Sequence, residues 1–420
     1  MTLVLTNRFN TKDSHTLKVF EESGGYLSIE KIFKMKPEEV TEEVKKSNIR
    51  GRGGAGFPAG VKWGFIPKGT GKPVYLAVNS DESEPGTFKD RHLLEKDPHQ
   101  LIEGIIICSY AIGCHQAYIY IRGEFDLPYR RIQAAVDEAY ANKILGKNIF
   151  GKGYDLDVVV HRGAGAYICG EETALLESIE GKRGNPRIKP PFPAVVGLFG
   201  CPTIINNVET ISALPFIINK GADAYKKWGT EKSTGTKLFS VSGHVNKPGV
   251  YEVPMGYPLK DFLKNECGGI SGTGTLKAVI VGGSSVPVMT AAEAYSVNLD
   301  YESLAEKGTM LGSGGMIVMD DSVDMLWALT NLAHFYAHES CGQCTPCREG
   351  TGWIGKILER FLREGGTQQD LDLLNELCDS MQGKTICVLA DALAMPVQSF
   401  IKKFPEDFKR HFKKAAKSAA

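Results

Sequence analysis

Val74–Gly86 reads VYLAVNSDESEPG, an apolar run that breaks into polar and acidic residues before a Pro-Gly turn. The run reads as a strand, and the same pattern recurs downstream. An apolar helix spans about 100–113, followed by Ala117–Ile121 (AYIYI), a helix near 128–141, Asp157–Val160 (DVVV) and a helix from about 171 to 180. Strand and helix in alternation predict a mostly parallel sheet covered by helices. Open α/β sheets place ligands at the carboxyl ends of their strands. Asn79, Asp81, Glu82, Ser83 and Glu84 fall at such an end. Helix capping accounts for any one of these acids, but three of them beside Asn79 exceed what a cap needs.

Upstream, Gly51–Gly56 (GRGGAG) matches G-x-G-x-x-G, but its context departs from the dinucleotide fingerprint. The charged segment Lys36–Lys46 before it is helix-like rather than strand-like, and Phe57-Pro58 is expected to block a helix just after. What remains is a glycine loop of Gly51, Arg52, Gly53, Gly54, Ala55 and Gly56. Its backbone can lie against a planar or phosphorylated ligand, with Arg52 and Lys62 as counter-charges. Asp157–Ala174 (DVVVHRGAGAYICGEETA) supplies a strand, a glycine-bearing loop and a helix start in the order a ligand site requires. Glu171 and Glu172 suit a helix N-terminus and suit a phosphate poorly. Like charges at ~4 Å cost about 1 kcal/mol in water and about 4 at intermediate dielectric, so these carboxylates are expected to face hydroxyls, an amide or a ring edge. Prolines 186, 190, 191, 193 and 202 forbid regular structure and mark an ordered loop or lid. Asn206, Asn207 and Thr210 follow it with uncharged hydrogen-bonding groups.

Near Thr236 a new unit begins, with short strands around Leu238–Val241, Val250–Val253 and Ala278–Val281. A helix carrying Leu259, Phe262 and Leu263 stops at Gly268-Gly269. After Ser322, a plausible N-cap, successive amphipathic helices imply a bundle, with Phe412–Ala420 as a frayed basic tail. This region holds Cys341-Gly-Gln-Cys344-Thr-Pro-Cys347. Three cysteines at C-x2-C-x2-C fit one corner of a cubane iron–sulfur cluster that takes a fourth from elsewhere, whereas structural zinc usually pairs C-x2-C with a second, separated pair. Cys378 is in register with Leu371, Leu374 and Met381 on a buried face. Cys387 follows the break at Gly383-Lys384-Thr385 and is the expected fourth ligand.

Composition removes other classes. The 420 residues are 42% hydrophobic and 23% charged, with 49 Lys+Arg against 49 Asp+Glu, so no bulk charge favours nucleic acid or an acidic membrane surface. The 47 glycines cluster instead of repeating, which implies tight turns and not collagen. No run reaches the ~18 apolar residues of a membrane span, and Gly104–Cys114 reads as a buried helix. Ten cysteines without a signal peptide favour reduced thiols or metal ligands in the cytoplasm.

Together, RGRGGAGFPAG from Arg50, NSDESEPGTFKDR from Asn79, RGAGAYICGEETAL from Arg162, INNVET from Ile205 and ESCGQCTPCREG from Glu339 resemble the NADH-binding flavoprotein subunit of respiratory complex I over nearly the whole chain. The resemblance implies an α/β multidomain chain. It comprises an N-terminal helical segment and glycine loop (1–70), a Rossmann-like domain binding FMN and NADH (71–235), a ubiquitin-like, β-grasp domain (236–321) and a helical bundle with one [4Fe–4S] cluster (322–420). It places FMN against Gly51, Arg52, Gly53, Lys62, Asn79, Asp81, Glu82, Ser83, Tyr167, Gly170, Glu171, Asn206, Asn207 and Thr210. NADH falls against Phe57, Phe65, Glu84, Glu172 and Phe192, and the cluster on Cys341, Cys344, Cys347 and Cys387. The cofactors carry the chemistry, with Glu84 and Glu172 positioning NADH and no side chain acting as nucleophile or acid. The resemblance further implies a thioredoxin-like [2Fe–2S] subunit and a larger iron–sulfur subunit as partners, leading to quinone in the membrane arm, with the complex peripheral on the cytoplasmic side of the inner membrane. The diaphorase subunit of an NAD-linked hydrogenase or formate dehydrogenase shares these motifs but often carries extra iron–sulfur domains, an extension this chain does not show. A non-catalytic metal-binding scaffold is the remaining alternative.

Overall fold

The computed structural model describes residues 3–413, so residues 414–420 of the basic tail lie outside the described residues. Strands β1 (Val74–Ser80), β2 (Cys114–Ile121), β3 (Asp157–Arg162) and β4 (Thr203–Asn207) form one wholly parallel sheet in the order β3-β2-β1-β4. Leu76, Ala77 and Val78 at the centre of β1 are fully buried, which is why that strand is continuously apolar. The chain proceeds outward from β1 to β3 and then crosses to the other side of β1 for β4. Asn79 thereby pairs with Asn207 at the switch point, where a doubly wound sheet opens a crevice.

The helix Pro98–Ile112 is buried nearly all round, so it shows no polar stripe, and it ends at Gly113 in the left-handed region. Three N-terminal helices, Leu17–Glu22, Leu27–Ile32 and Pro37–Ser47, pack over it through Phe20, Ile29, Ile32, Val40 and Val44. The expected block after Phe57-Pro58 is absent. Pro58 is the N-cap of a short helix, Ala59–Trp63, a place where proline forfeits no intrahelical bond.

A second sheet orders β6 (Gly249–Pro254), β5 (Thr236–Gly243), β9 (Gly315–Asp320), β7 (Leu276–Ile280) and β8 (Met289–Thr290). Within it β5 and β9 run parallel and every other pair antiparallel. Its own core contains Phe239, Val241, Phe262, Leu263, Val279 and Met316. Four helices follow: Met325–Glu339, Thr345–Glu364, Gln368–Met381 and Leu389–Lys403. Their first N-cap is Asp324 and not Ser322. The Asp324 carboxylate accepts the Leu326 amide at 2.8 Å, whereas Ser322 donates to Asp320 at 2.6 Å.

The three units are not beads on a string. One hydrophobic core joins Ala77, Leu175, Leu176 and Ile205 of the first unit to Ala278 and Ile280 of the second and to Met325, Leu329 and Tyr336 of the bundle. The closest backbone approach supporting the first sheet is at Gly104, where an added Cβ would lie 2.2 Å from the Ile211 carbonyl oxygen. Alanine would gain about 1 kcal/mol of helix propensity, but a clash with backbone costs about 1–3 kcal/mol and prevails. Gly104→Ala is therefore expected to lower stability by roughly 1–2 kcal/mol, measured as the shift in urea midpoint. A stabilised variant would refute the tight contact.

Candidate functional site

The glycine loop is fixed from outside. The Arg50 guanidinium lies 3.7 Å over the Tyr301 ring and 2.6 Å from Glu302, and the Tyr301 hydroxyl donates to the Gly51 carbonyl at 2.9 Å. Gly56 has φ 66°, and a Cβ there would meet the Tyr301 ring at 2.4 Å, so only glycine fits. The Gly51 amide donates to the Phe57 carbonyl and the Arg52 amide to Thr210 Oγ1, leaving Gly54 facing open space. The Arg52 guanidinium does not face the loop as a counter-charge. It is 1% exposed and donates to the Tyr225 hydroxyl and the Thr234 and Thr236 carbonyls.

Beneath the loop lies a buried charge cluster. Glu209 stands 2.7 Å from Lys89 Nζ and 3.3 Å from Lys237 Nζ, and it accepts the Leu238 amide at 2.9 Å. Lys237 also reaches the Arg52 carbonyl at 3.4 Å. Burial, with Lys89 and Arg52 nearby, pushes Lys237 down to about 7 in spite of Glu209.

At the end of β1, Asn79 donates to the Gly170 carbonyl at 2.8 Å and accepts the Asp81 amide at 3.0 Å, tying β1 to the loop after β3. Ser83 donates to Asp81 Oδ1 at 2.8 Å, while Asp81 Oδ2 is buried with no protein partner; burial lifts this carboxyl to about 7. Glu82 is a cap after all, accepting the amides of Lys89, Asp90 and Arg91 at 2.7, 2.8 and 3.1 Å. Glu84 accepts the Tyr167 hydroxyl at 2.6 Å and the Ser285 amide at 2.7 Å, and burial raises its pKa.

Glu171 caps the helix Glu172–Ile179 through the Thr173 and Ala174 amides. Neither it nor Glu172 faces only uncharged groups. Lys189 donates to Glu171 at 3.0 Å and to Glu172 at 3.1 Å, and Lys62, which donates to the Ile205 carbonyl, stands 3.6 Å from Glu172. Lys189, in the proline-rich lid, carries no motif that marks it in the sequence. The one available signal is a pair of adjacent acids that need compensation, close in sequence to a lid carrying Arg187 and Lys189. Asn207 caps the helix Val208–Ser212 and donates to Asp90, and Asn206 pairs with Trp63 Nε1. Phe57, Phe65 and Phe192 are 46%, 53% and 58% exposed, with the Phe57 and Phe65 rings 5.8 Å apart. The exposed, neighbouring rings of Phe57 and Phe65 suit stacking on a ligand.

Cys341 and Cys344 occupy the turn between the first two bundle helices, Cys347 the first turn of the second, and Cys387 the connection before the fourth. The Cys347 thiol lies 3.2 Å from Ser340 Oγ; burial, then Cys344 and Cys341, push it up to about 11. Burial pushes Cys387 up to about 12, with Glu171, Cys347 and Cys341 adding to the rise, and Cys341, Cys344 and Cys387 pack against the same core that holds Cys347. Cys378 is fully buried in the core formed with Leu374 and Met381. Glu339, two residues before Cys341, accepts the Tyr167 amide at 3.0 Å, so the cysteine corner and the cleft share a wall. Among the described residues no three His, Cys, Asp or Glu side chains gather as for a single metal ion. An all-sulfur donor set of four fits a [4Fe–4S] cluster.

A switch-point cleft backed by a cysteine-bearing helical unit defines a flavin- and iron–sulfur-linked dehydrogenase. Family models agree: Nuo51 FMN-binding domain over residues 44–215, SLBB domain over 237–318 and NADH-ubiquinone oxidoreductase-F iron-sulfur binding region over 327–411. The chain belongs to the family of F-type subunits of NADH-quinone oxidoreductase. It is 51% identical over 402 residues to the F-type subunit of Rickettsia bellii (strain OSU 85-389), covering 96% of each chain. It is 49% identical over 409 residues to an F-type subunit of the same enzyme in Rhizobium meliloti (strain 1021), covering 97% of each. The crystal structure of NAD+-reducing [NiFe]-hydrogenase in the H2-reduced state superposes with TM-score 0.86 at 36% identity over 94% of this chain; the chain spans 66% of that hydrogenase chain.

Lys237 contributes a pH response at the junction. It titrates near 10.4 when unfolded and at about 7 when folded, so between these values the unfolded chain binds the extra proton and stability rises with pH. Below pH ~7 that contribution is lost. Lys237→Met is expected to abolish a rise on the order of 1 kcal/mol per pH unit, read from denaturant midpoints at two pH values, one near neutrality and one well above it. Parallel curves for both proteins would exclude this titration.

Proposed function

We propose that the chain oxidises NADH at the switch-point cleft and delivers electrons singly to the cysteine corner as part of a multi-subunit NADH-quinone oxidoreductase. FMN, when bound, supplies the exchange between a two-electron hydride donor and a one-electron cluster. The observation that carries this reading is the shared wall: the Tyr167 amide of the cleft rests on Glu339, the last residue of the helix that leads into the cysteine turn. The unpartnered Asp81 Oδ2 beside Gly170 gives a hydroxyl-bearing ligand such as the FMN ribityl chain a buried acceptor. Backbone at Gly51–Gly56 with Asn79, Asp81, Ser83, Tyr167, Gly170, Asn206, Asn207 and Thr210 would hold FMN. Arg52, Glu82 and Glu171 contribute mainly by shaping the scaffold. Phe57, Phe65 and Phe192 would stack on the adenine, Glu84 and Glu172 would orient NADH, and Lys62 and Lys189 hold Glu172 in place. Cys341, Cys344, Cys347 and Cys387 would ligate the cluster. Val388, 73% exposed beside Cys387, leaves that corner open to a partner. A thioredoxin-like [2Fe–2S] subunit and a larger iron–sulfur subunit, in a complex peripheral on the cytoplasmic side of the membrane, suit an exit of that kind; among the described residues no helix is long and apolar enough to cross a membrane. The resemblance to the hydrogenase chain keeps a diaphorase role as the second reading, and the higher identity to the quinone oxidoreductase subunits favours the first.

The flavin absorbance of the loaded protein should bleach with NADH. Cys387→Ser should keep that bleaching while losing iron and sulfide and slowing transfer to one-electron partners. Cys378→Ser should keep the cluster at only the modest cost of a buried polar substitution. Cluster loss in Cys378→Ser with retention in Cys387→Ser would reverse the ligand assignment.

Glu172 is the proposed discriminator against NADPH, whose 2′-phosphate a carboxylate repels and whose 2′-hydroxyl counterpart in NADH it hydrogen-bonds. Lys62 and Lys189 reduce that repulsion without removing it, because Glu171 competes for Lys189. Glu172→Gln should raise kcat/KM for NADPH roughly tenfold or more, about 1.4 kcal/mol, while lowering that for NADH far less. An unchanged ratio would sink the idea.

A further inference from the structure

The Glu84 carboxylate is built into a junction of all three units. Its Oε2 accepts the Tyr167 hydroxyl at 2.6 Å, and its Oε1 accepts the Ser285 amide at 2.7 Å and lies 3.4 Å from Ser284 Oγ. Ser284 Oγ stands 2.7 Å from the Tyr336 hydroxyl, and both side chains are fully buried. The Ser284 amide donates to the Pro85 carbonyl at 3.1 Å, which pins the segment to the residue following Glu84. Gly283, at φ 92°, admits this approach: a Cβ there would fall 2.4 Å from Glu84 Cγ. The Tyr336 ring meets the Tyr167 ring edge-on at 6.0 Å between centroids, and Phe335 does so at 5.2 Å.

Phenol and serine hydroxyls donate to a carboxylate and accept from one another, so the arrangement has one sense. Tyr336 donates to Ser284, Ser284 to Glu84, and Tyr167 to the other Glu84 oxygen. We propose that Tyr336 and Ser284 are positioning residues for the nucleotide: their hydroxyl pair, reaching from the bundle and the second unit, fixes the orientation in which Glu84 and Tyr167 present themselves to NADH. The inference rests on the reading above that Glu84 faces NADH. It makes the nucleotide pocket dependent on docking of the helix that precedes the cysteine turn, which carries Tyr336 five residues before Cys341.

The test uses the full, FMN-loaded chain, measuring the Kd of NAD+ by calorimetry and KM and kcat for NADH with ferricyanide as acceptor. Tyr336→Phe keeps the ring packing and removes one hydroxyl. It should raise Kd and KM roughly threefold to tenfold, the worth of one hydrogen bond, with kcat, FMN content and unfolding midpoint close to those of the parent. Ser284→Ala should match it. The double variant should be no weaker than the weaker single, because both deletions break one chain. Glu84→Gln separates the two layers of the argument. If it leaves Kd unchanged, the assignment of Glu84 to the pocket fails and the inference falls with it. If it weakens binding while Tyr336→Phe and Ser284→Ala leave Kd and KM within about twofold, or the double variant is fully additive, the pocket stands and the positioning role is overturned.

Discussion

A single carboxylate, Glu209, holds the architecture in register. It is fully buried, with Lys89 from the first unit on one side and Lys237 from β5 on the other. An ion buried alone costs several kcal/mol, and removing one partner of a buried pair typically costs about 3–5 kcal/mol. The two units therefore meet where Glu209 reaches a lysine from each of them. The glycine loop follows from that geometry. Thr210, next to Glu209, receives the Arg52 amide; Lys237 reaches the Arg52 carbonyl; and the Arg52 guanidinium fills the seam where β5 begins. Loop, seam and charge cluster are one construction.

The same economy appears on the other side of the cleft. Acids that would interfere with a negatively charged ligand are neutralised or engaged: Glu82 on three amides, Glu171 on a helix end and a lysine, Glu172 between two lysines, and Glu84 among hydroxyls. Asp81 Oδ2 alone among these carboxylate oxygens is buried without a partner. Polar groups that can satisfy one another do so and become scaffold, and the group left over marks where a ligand's donor belongs.

Much of this is legible in the amino-acid order because local rules and global fold agree. Apolar runs announce β1 to β3, and C-x2-C-x2-C announces a sulfur site. β4 and β9 are not legible in the same way. Thr203–Asn207 is a five-residue strand ending in two asparagines, the second of which also caps a helix, and Gly315–Asp320 begins in glycines that read as a loop. Side-chain roles are less legible than side-chain positions. Arg52 lies beside the glycine loop in sequence, yet its head group points into the seam, because partners from Tyr225 to Thr236 cannot be inferred from spacing. Lys189 is hidden for the same reason: its partners are carboxylates on another element, approached through a proline-rich segment with no periodicity.

That the pocket is assembled from distant sequence also sets a clock on its formation. Glu84 and Ser285 are separated by 201 residues. At about 5–20 residues per second of synthesis, Ser285 emerges roughly 10–40 s after Glu84, and Tyr336 later still. During that interval the first sheet can fold around β1 to β4, but Glu84 and the rim of the cleft lack their partners. The seam on Lys237 closes in the same window. On the proposed assignment of Glu84 to the nucleotide, the recognition site is completed only after Tyr336 has emerged, so binding is a late event in the chain's synthesis.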